Sequence, residues 1–126
     1  MIRKVIDGGV ALIFFLFAYL QLNDPDFWWW VLIYGLVAIV AILNLFGALN
    51  KSRTFKTLIV FIILLVIYFS NLIAWIKAGF PDMVNYTDDN VVIAEGIREY
   101  FGLLISFIVI LLYHLFARKS DKKDNA

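Results

Sequence analysis

Leu58-Ile59-Val60-Phe61-Ile62-Ile63-Leu64-Leu65-Val66-Ile67-Tyr68-Phe69 is the stretch that decides how this chain folds. None of these residues is charged, and the apolar side chains run on without alternation, so every side of the segment is oily. A strand of a membrane barrel alternates lipid-facing and lumen-facing residues, which this run does not do. In hydrocarbon the remaining way to satisfy every backbone N–H and C=O is an α-helix. Extended outward, the run covers Phe55 to Ile76, enough at about 1.5 Å per residue to cross a hydrocarbon layer of about 30 Å.

Three more stretches read the same way: Val5 to Leu22, Phe27 to Leu49 and Tyr100 to Ala117. Of the 126 residues, 63% are hydrophobic, so four spans leave no material for a separate soluble domain. The expected fold is an all-α integral membrane protein, a four-transmembrane-helix bundle in one domain over residues 1–126. Residues 77–99 form an outer loop and residues 118–126 a charged tail. The start, with Arg3 and Lys4 before an apolar run, reads as a first transmembrane helix and not as a cleaved leader. Ala18-Tyr19-Leu20-Gln21 lacks the small residues a signal peptidase requires.

Orientation follows from the bases. Arg3 and Lys4 precede the first span, Lys51, Arg53 and Lys56 lie between the second and third, and Arg118, Lys119, Lys122 and Lys123 follow the fourth. With four spans all of these fall on one side, which the positive-inside rule makes cytoplasmic, so both termini are expected there. The location implied is a plasma membrane, or the inner membrane in a bacterium. The opposite face carries Asp24, Asp26, Asp82, Asp88, Asp89, Glu95 and Glu99 against only Lys77 and Arg98. Phe27, Trp28, Trp29 and Trp30, with Trp75 and Phe80, are placed to anchor at the outer headgroups.

Two motifs lie on that acidic outer face. Gln21-Leu22-Asn23-Asp24-Pro25-Asp26 has the form of an N-cap before a first-turn proline, and Asp26 adds negative charge at the positive end of the next helix dipole. Capping explains Asp24, but the turn also gathers Gln21, Asn23 and Asp26, which leaves ligand contact open. The second motif is Glu95-Gly96-Ile97-Arg98-Glu99-Tyr100-Phe101-Gly102. With Asn90 as cap, Glu95, Arg98, Glu99 and Gly102 share a helix face that continues through Ser106, Val109 and Tyr113 and is expected to face inward. Local pairing of Glu95 and Glu99 with Arg98 is the plainer reading, and exposed it contributes about 0–1 kcal/mol.

These two motifs, with the Trp-rich helix and Tyr34 after the first and Gly102-Leu103 after the second, resemble the transmembrane protein 220 family. The resemblance covers most of the chain. The family's last motif runs as acidic residues, Gly, Arg, Glu and Gly-Leu, whereas here Ile97 stands between Gly96 and Arg98. It implies a small multi-span membrane architecture and transfers no reaction. The expected outer cluster comprises Gln21, Asn23, Asp24, Asp26, Asn71, Glu95, Arg98 and Glu99, with Arg98 bonded to Asp24 or Asp26 because a guanidinium fork suits carboxylates.

The other polar residues read more simply. Asn71 either joins the cluster or ties two helices together. His114, the single histidine, makes a poor metal site and reads as an interfacial polar residue. Asp7, one turn after Arg3 and Lys4, reads as a helix-end cap or salt-bridge partner. Asn85-Tyr86-Thr87 is a glycosylation sequon only in a eukaryotic secretory compartment.

With no Cys, thiol chemistry is excluded. There is no Gly-rich phosphate loop and no paired-His motif, so no cofactor or metal is expected. Nucleic acid is not expected either, since the bases flank spans and meet lipid headgroups. The leading expectation is an accessory or interaction subunit, not an enzyme, with lipid and either a membrane-protein partner or a further copy as its contacts. Its rivals are a small transporter or a cation- or proton-binding protein, and a membrane enzyme acting on lipid headgroups through the outer carboxylates.

Overall fold

The computed structural model describes residues 2–23, 27–82 and 90–124. Helix α1 runs Ile2–Leu20 and passes into a 3-10 turn, Gln21–Asn23. Helices α2 (Phe27–Leu45), α3 (Lys51–Ile67), α4 (Phe69–Lys77) and α5 (Val91–Asp124) follow. No strand occurs among the described residues.

Three segments are long and apolar enough to cross a membrane: Trp28–Leu45, Lys51–Lys77 and Val91–Phe116. Helix α1, of 19 residues, is not among them. Arg3, Lys4 and Asp7 fall within its first two turns, and each charge in a candidate span is costly in hydrocarbon.

The ends of the helices have local causes that shift the expected spans. Helix α2 stops at Leu45, short of the expected Leu49, because the backbone turns left-handed at Gly47 (φ 72°). There the Ala48 amide donates to the Leu43 carbonyl at 2.7 Å, a glycine-type C-terminal cap. Helix α3 begins at Lys51, four residues before the expected Phe55, because Asn50 caps it. Asn50 Oδ1 accepts from the Arg53 amide at 2.9 Å. The expected third span is divided at Tyr68, whose backbone (φ −89°, ψ 4°) leaves helical geometry between α3 and α4. Helix α5 starts directly after Asn90, the residue expected to cap it, and so carries Glu95, Arg98 and Glu99 as helical residues, ahead of the expected span from Tyr100. A helix continues past the hydrocarbon wherever its backbone bonds continue, and polar side chains there do not stop it.

The chain divides into two compact units, Met1–Phe55 with Val109–Ala126, and Lys56–Ile108. In the first unit α1 packs along α2. Its buried residues, Asp7, Ala11, Phe14 and Ala18, recur at spacings of four, three and four and form one stripe of the helix. Phe14 and Phe17 meet Tyr34 with ring centroids 6.2 and 5.6 Å apart, and Trp30 lies 6.1 Å from the same ring. In the second unit α4 meets the first half of α5. Phe69 lies 6.3 Å from Tyr100, and Trp75 lies 5.9 Å from Phe101. Trp75 also stands edge-on to Phe80 at 4.9 Å, and its indole N–H donates to the Pro81 carbonyl at 3.0 Å. These contacts brace a turn in which both Gly79 (φ 85°) and Phe80 (φ 59°) are left-handed.

Candidate functional site

The most deeply set polar group of the first unit after Thr54 is the Asp7 carboxylate, 3% exposed. It is a consequence of the α1 stripe: a residue four before Ala11 and seven before Phe14 faces the packed side whatever its polarity. A buried carboxylate requires donors. Two arrive from distant parts of the chain. The Asn44 side-chain amide donates to Asp7 Oδ2 at 2.9 Å, and the Tyr113 hydroxyl donates to Asp7 Oδ1 at 2.7 Å. Each carboxylate oxygen therefore holds one neutral donor, and among the described residues no cation pairs with Asp7. Its expected role as cap or salt-bridge partner is corrected on this point: the side chain is buried in the unit and bonded to Asn44 and Tyr113.

A cavity of about 240 Å³ opens beside this group. Asp7, Asn44 and Tyr113 form its polar wall, and Ile6, Val10, Val109 and Leu112 supply aliphatic surface. Arg3 and Phe116, both exposed, complete it, with the guanidinium carbon 5.2 Å from the centre of the Phe116 ring. A contact with the ring takes up none of the conventional acceptors that the guanidinium N–H donors seek.

A second polar tie lies in the same unit. Thr54, fully buried, has Oγ1 2.9 Å from His114 Nδ1, and it donates toward the Lys51 carbonyl at 3.0 Å or the Asn50 carbonyl at 3.3 Å. His114 is half-buried, and its ring lies 6.1 Å from Phe55. The single histidine thus joins the start of α3 to α5, a more specific position than the interfacial one expected. No group of His, Cys, Asp and Glu suited to a metal occurs among the described residues.

Of the expected outer cluster, Asp24 and Asp26 lie outside the described residues, as do the Asn23 side chain and the sequon. Gln21 is half-buried in the first unit. In the second unit Asn71 ties α4 to α5 by donating from Nδ2 to the Gly96 carbonyl at 3.2 Å. The proposed inward stripe of α5 needs correction at its upper end. Glu95 and Arg98 are exposed and Glu99 is half-buried, while Ala94, Ile97, Tyr100 and Leu103 are buried. Charges avoid burial when an apolar set one residue away can take their place, and Ile97 provides that set. Lower down, the stripe holds at Ser106 and Tyr113, both buried.

Asn44 and Thr54 were not singled out from sequence. Asn44 had a signal, since it interrupts the apolar run Ile42-Leu43-Asn44-Leu45-Phe46, where an amide requires a partner. Thr54 had none, because a threonine beside Arg53 and Lys56 reads as part of a polar loop.

An all-helical chain with three apolar segments of spanning length, its buried acid satisfied by side chains of other helices, is an integral membrane protein. The family model described as "Transmembrane family 220, helix" matches residues 13–115, and the chain belongs to that family. No curated protein and no solved structure matches it.

Proposed function

We propose that the protein is a four-span accessory subunit, with both termini on the cytoplasmic side, that holds a partner membrane protein or a further copy of itself within the bilayer. The observation behind this reading is the small share of the spans that their own chain covers. In the apolar 18-residue stretch of each segment, only 11% of the residues are buried for Lys51–Lys77, against 28% for Val91–Phe116 and 39% for Trp28–Leu45. Ile59, Val60, Ile62, Ile63, Val66 and Ile67 are all exposed, on more than one side of α3. A helix that touches so little of its own chain has apolar surface to spare for a neighbour.

Helix α1 is the fourth span in this reading. Its one embedded charge, Asp7, meets side chains of α2 and α5 and not lipid, and Arg3 and Lys4 reach the headgroup level by snorkelling. A transport route is not favoured. Apart from Asp7 and Thr54, the one buried polar residue among those described is Ser106, whose hydroxyl donates to the Gly102 carbonyl of its own helix at 2.8 Å. On the charge pattern of the sequence, Arg98 is further proposed to answer Asp24 or Asp26 at the outer face.

Native mass spectrometry of the protein, extracted from its own membrane in mild detergent, tests this. A stoichiometric second protein chain, or a dimer of this one, is the expected result. A monomer carrying lipid alone would contradict the subunit reading. A small solute lost in an Arg98→Ala, Asp24→Asn variant would favour the transporter or enzyme alternatives instead.

A further inference from the structure

The cavity beside Asp7 is neither a uniformly apolar gap nor a simple basic anchor. One wall presents the carboxylate of Asp7, set among neutral donors, and one turn earlier on the same helix Arg3 stands at the rim, held against Phe116. Among the described residues the N–H donors of Arg3 have no acceptor. A purely anionic ligand that reached Arg3 would bring its charge toward Asp7, and a purely cationic one would meet Arg3. The pair selects a ligand carrying both signs, about one helical turn apart.

We propose that this cavity binds the headgroup of an amine-bearing zwitterionic phospholipid. The phosphate lies on Arg3, the primary ammonium donates to Asp7, and the first part of the acyl chains lies along Ile6, Val10 and Leu112. The remaining lone pairs of Asp7 accept from the ammonium while Asn44 and Tyr113 hold the carboxylate in place. A primary ammonium satisfies this site because it donates hydrogen bonds, whereas a trimethylammonium cannot. At about 240 Å³ the cavity is smaller than the ~300–1,000 Å³ of ordinary small-molecule clefts, so it takes a headgroup and not a whole lipid. The assignment rests on the four-span reading, which sets Arg3 at headgroup depth.

The test is native mass spectrometry of the full chain, delipidated in detergent and offered equal amounts of phosphatidylethanolamine, phosphatidylcholine and phosphatidylglycerol. Wild type is expected to hold phosphatidylethanolamine about tenfold better than either other lipid, about 1.4 kcal/mol. Asp7→Asn is expected to bring it down to the phosphatidylcholine level. Arg3→Gln removes the phosphate contact that all three lipids share, and it is expected to lower the binding of each, phosphatidylethanolamine included, by about tenfold. Equal binding of the three lipids by wild type, a preference for phosphatidylglycerol, a phosphatidylethanolamine preference that survives Asp7→Asn, or phosphatidylethanolamine binding unchanged by Arg3→Gln would each overturn the proposal. Binding of soluble phosphoethanolamine as tight as that of the lipid would contradict the lipid assignment. Side-specific labelling of Lys4→Cys reads topology alone and so separates failure of this proposal from failure of the four-span reading.

Discussion

Tyr113 donates its hydroxyl to Asp7 at 2.7 Å across 106 positions of sequence, joining the first turns of α1 to the last membrane-spanning part of α5. This bond, with that of Asn44 to the other carboxylate oxygen, lets a carboxylate sit 3% exposed in an otherwise apolar stripe.

Tyr113→Phe leaves Asp7 Oδ1 without its donor while preserving the ring. The expected loss of stability is about 1–2 kcal/mol, between the modest net value of membrane hydrogen bonds and the cost of an unsatisfied buried acceptor. Denaturation in detergent measures it. In a double-mutant cycle with Asp7→Asn the two changes are expected to be clearly non-additive. Additive losses would mean that the bond contributes nothing.

Thr54→Val keeps the shape at a fully buried position and removes the partner of His114 Nδ1. A loss of about 1 kcal/mol is expected, with Thr54→Ser close to wild type. Equal effects of Val and Ser would assign the role of Thr54 to packing.

Gly96→Ala sets two effects of known sign against each other. Alanine favours a helix over glycine by about 1 kcal/mol, but a Cβ at this position would lie 3.2 Å from the Asn71 side chain and press on the amide that donates to the Gly96 carbonyl. The expected result is a near-neutral or destabilising change in wild type and a stabilising one in an Asn71→Ala background, read as melting temperature in the same detergent.

Gly47→Ala forces a side chain into the left-handed turn that ends α2 (φ 72°), and a loss of about 1 kcal/mol is expected in thermal denaturation. The site is otherwise open, with nothing within 4 Å of the position the new methyl group would take, so strain alone is responsible.

Much of the helical plan was legible because membrane helices advertise themselves by composition, as Leu58 to Phe69 does on every side. Boundaries were less so. The end of α2 depends on one backbone angle at Gly47, and the break at Tyr68 has neither proline nor glycine to mark it. The start of α5 was legible from Asn90 as a cap, although Glu95, Arg98 and Glu99 set the expected span later, at Tyr100, since polarity marks the edge of hydrocarbon and not the end of a helix. The Asp7 site was harder still. In sequence the nearest charges to Asp7 are Arg3 and Lys4, which suggest a local pair, while its partners stand 37 and 106 residues away. A single chain gives no sign of such pairings beyond the general need of a polar group in hydrocarbon for a partner.

The central claim is that α1 crosses the membrane, so that Arg3 and Asp7 share a membrane face with the C-terminal tail. The chain has no cysteine of its own, so single cysteines report without background. Lys4→Cys and Lys122→Cys, expressed separately and exposed in intact cells to a membrane-impermeant maleimide, give the most direct answer. Protection of both, with labelling of both once the cells are opened, is the result the four-span account requires. Labelling of Lys4→Cys in intact cells, with Lys122→Cys protected, would mean three spans and would contradict it.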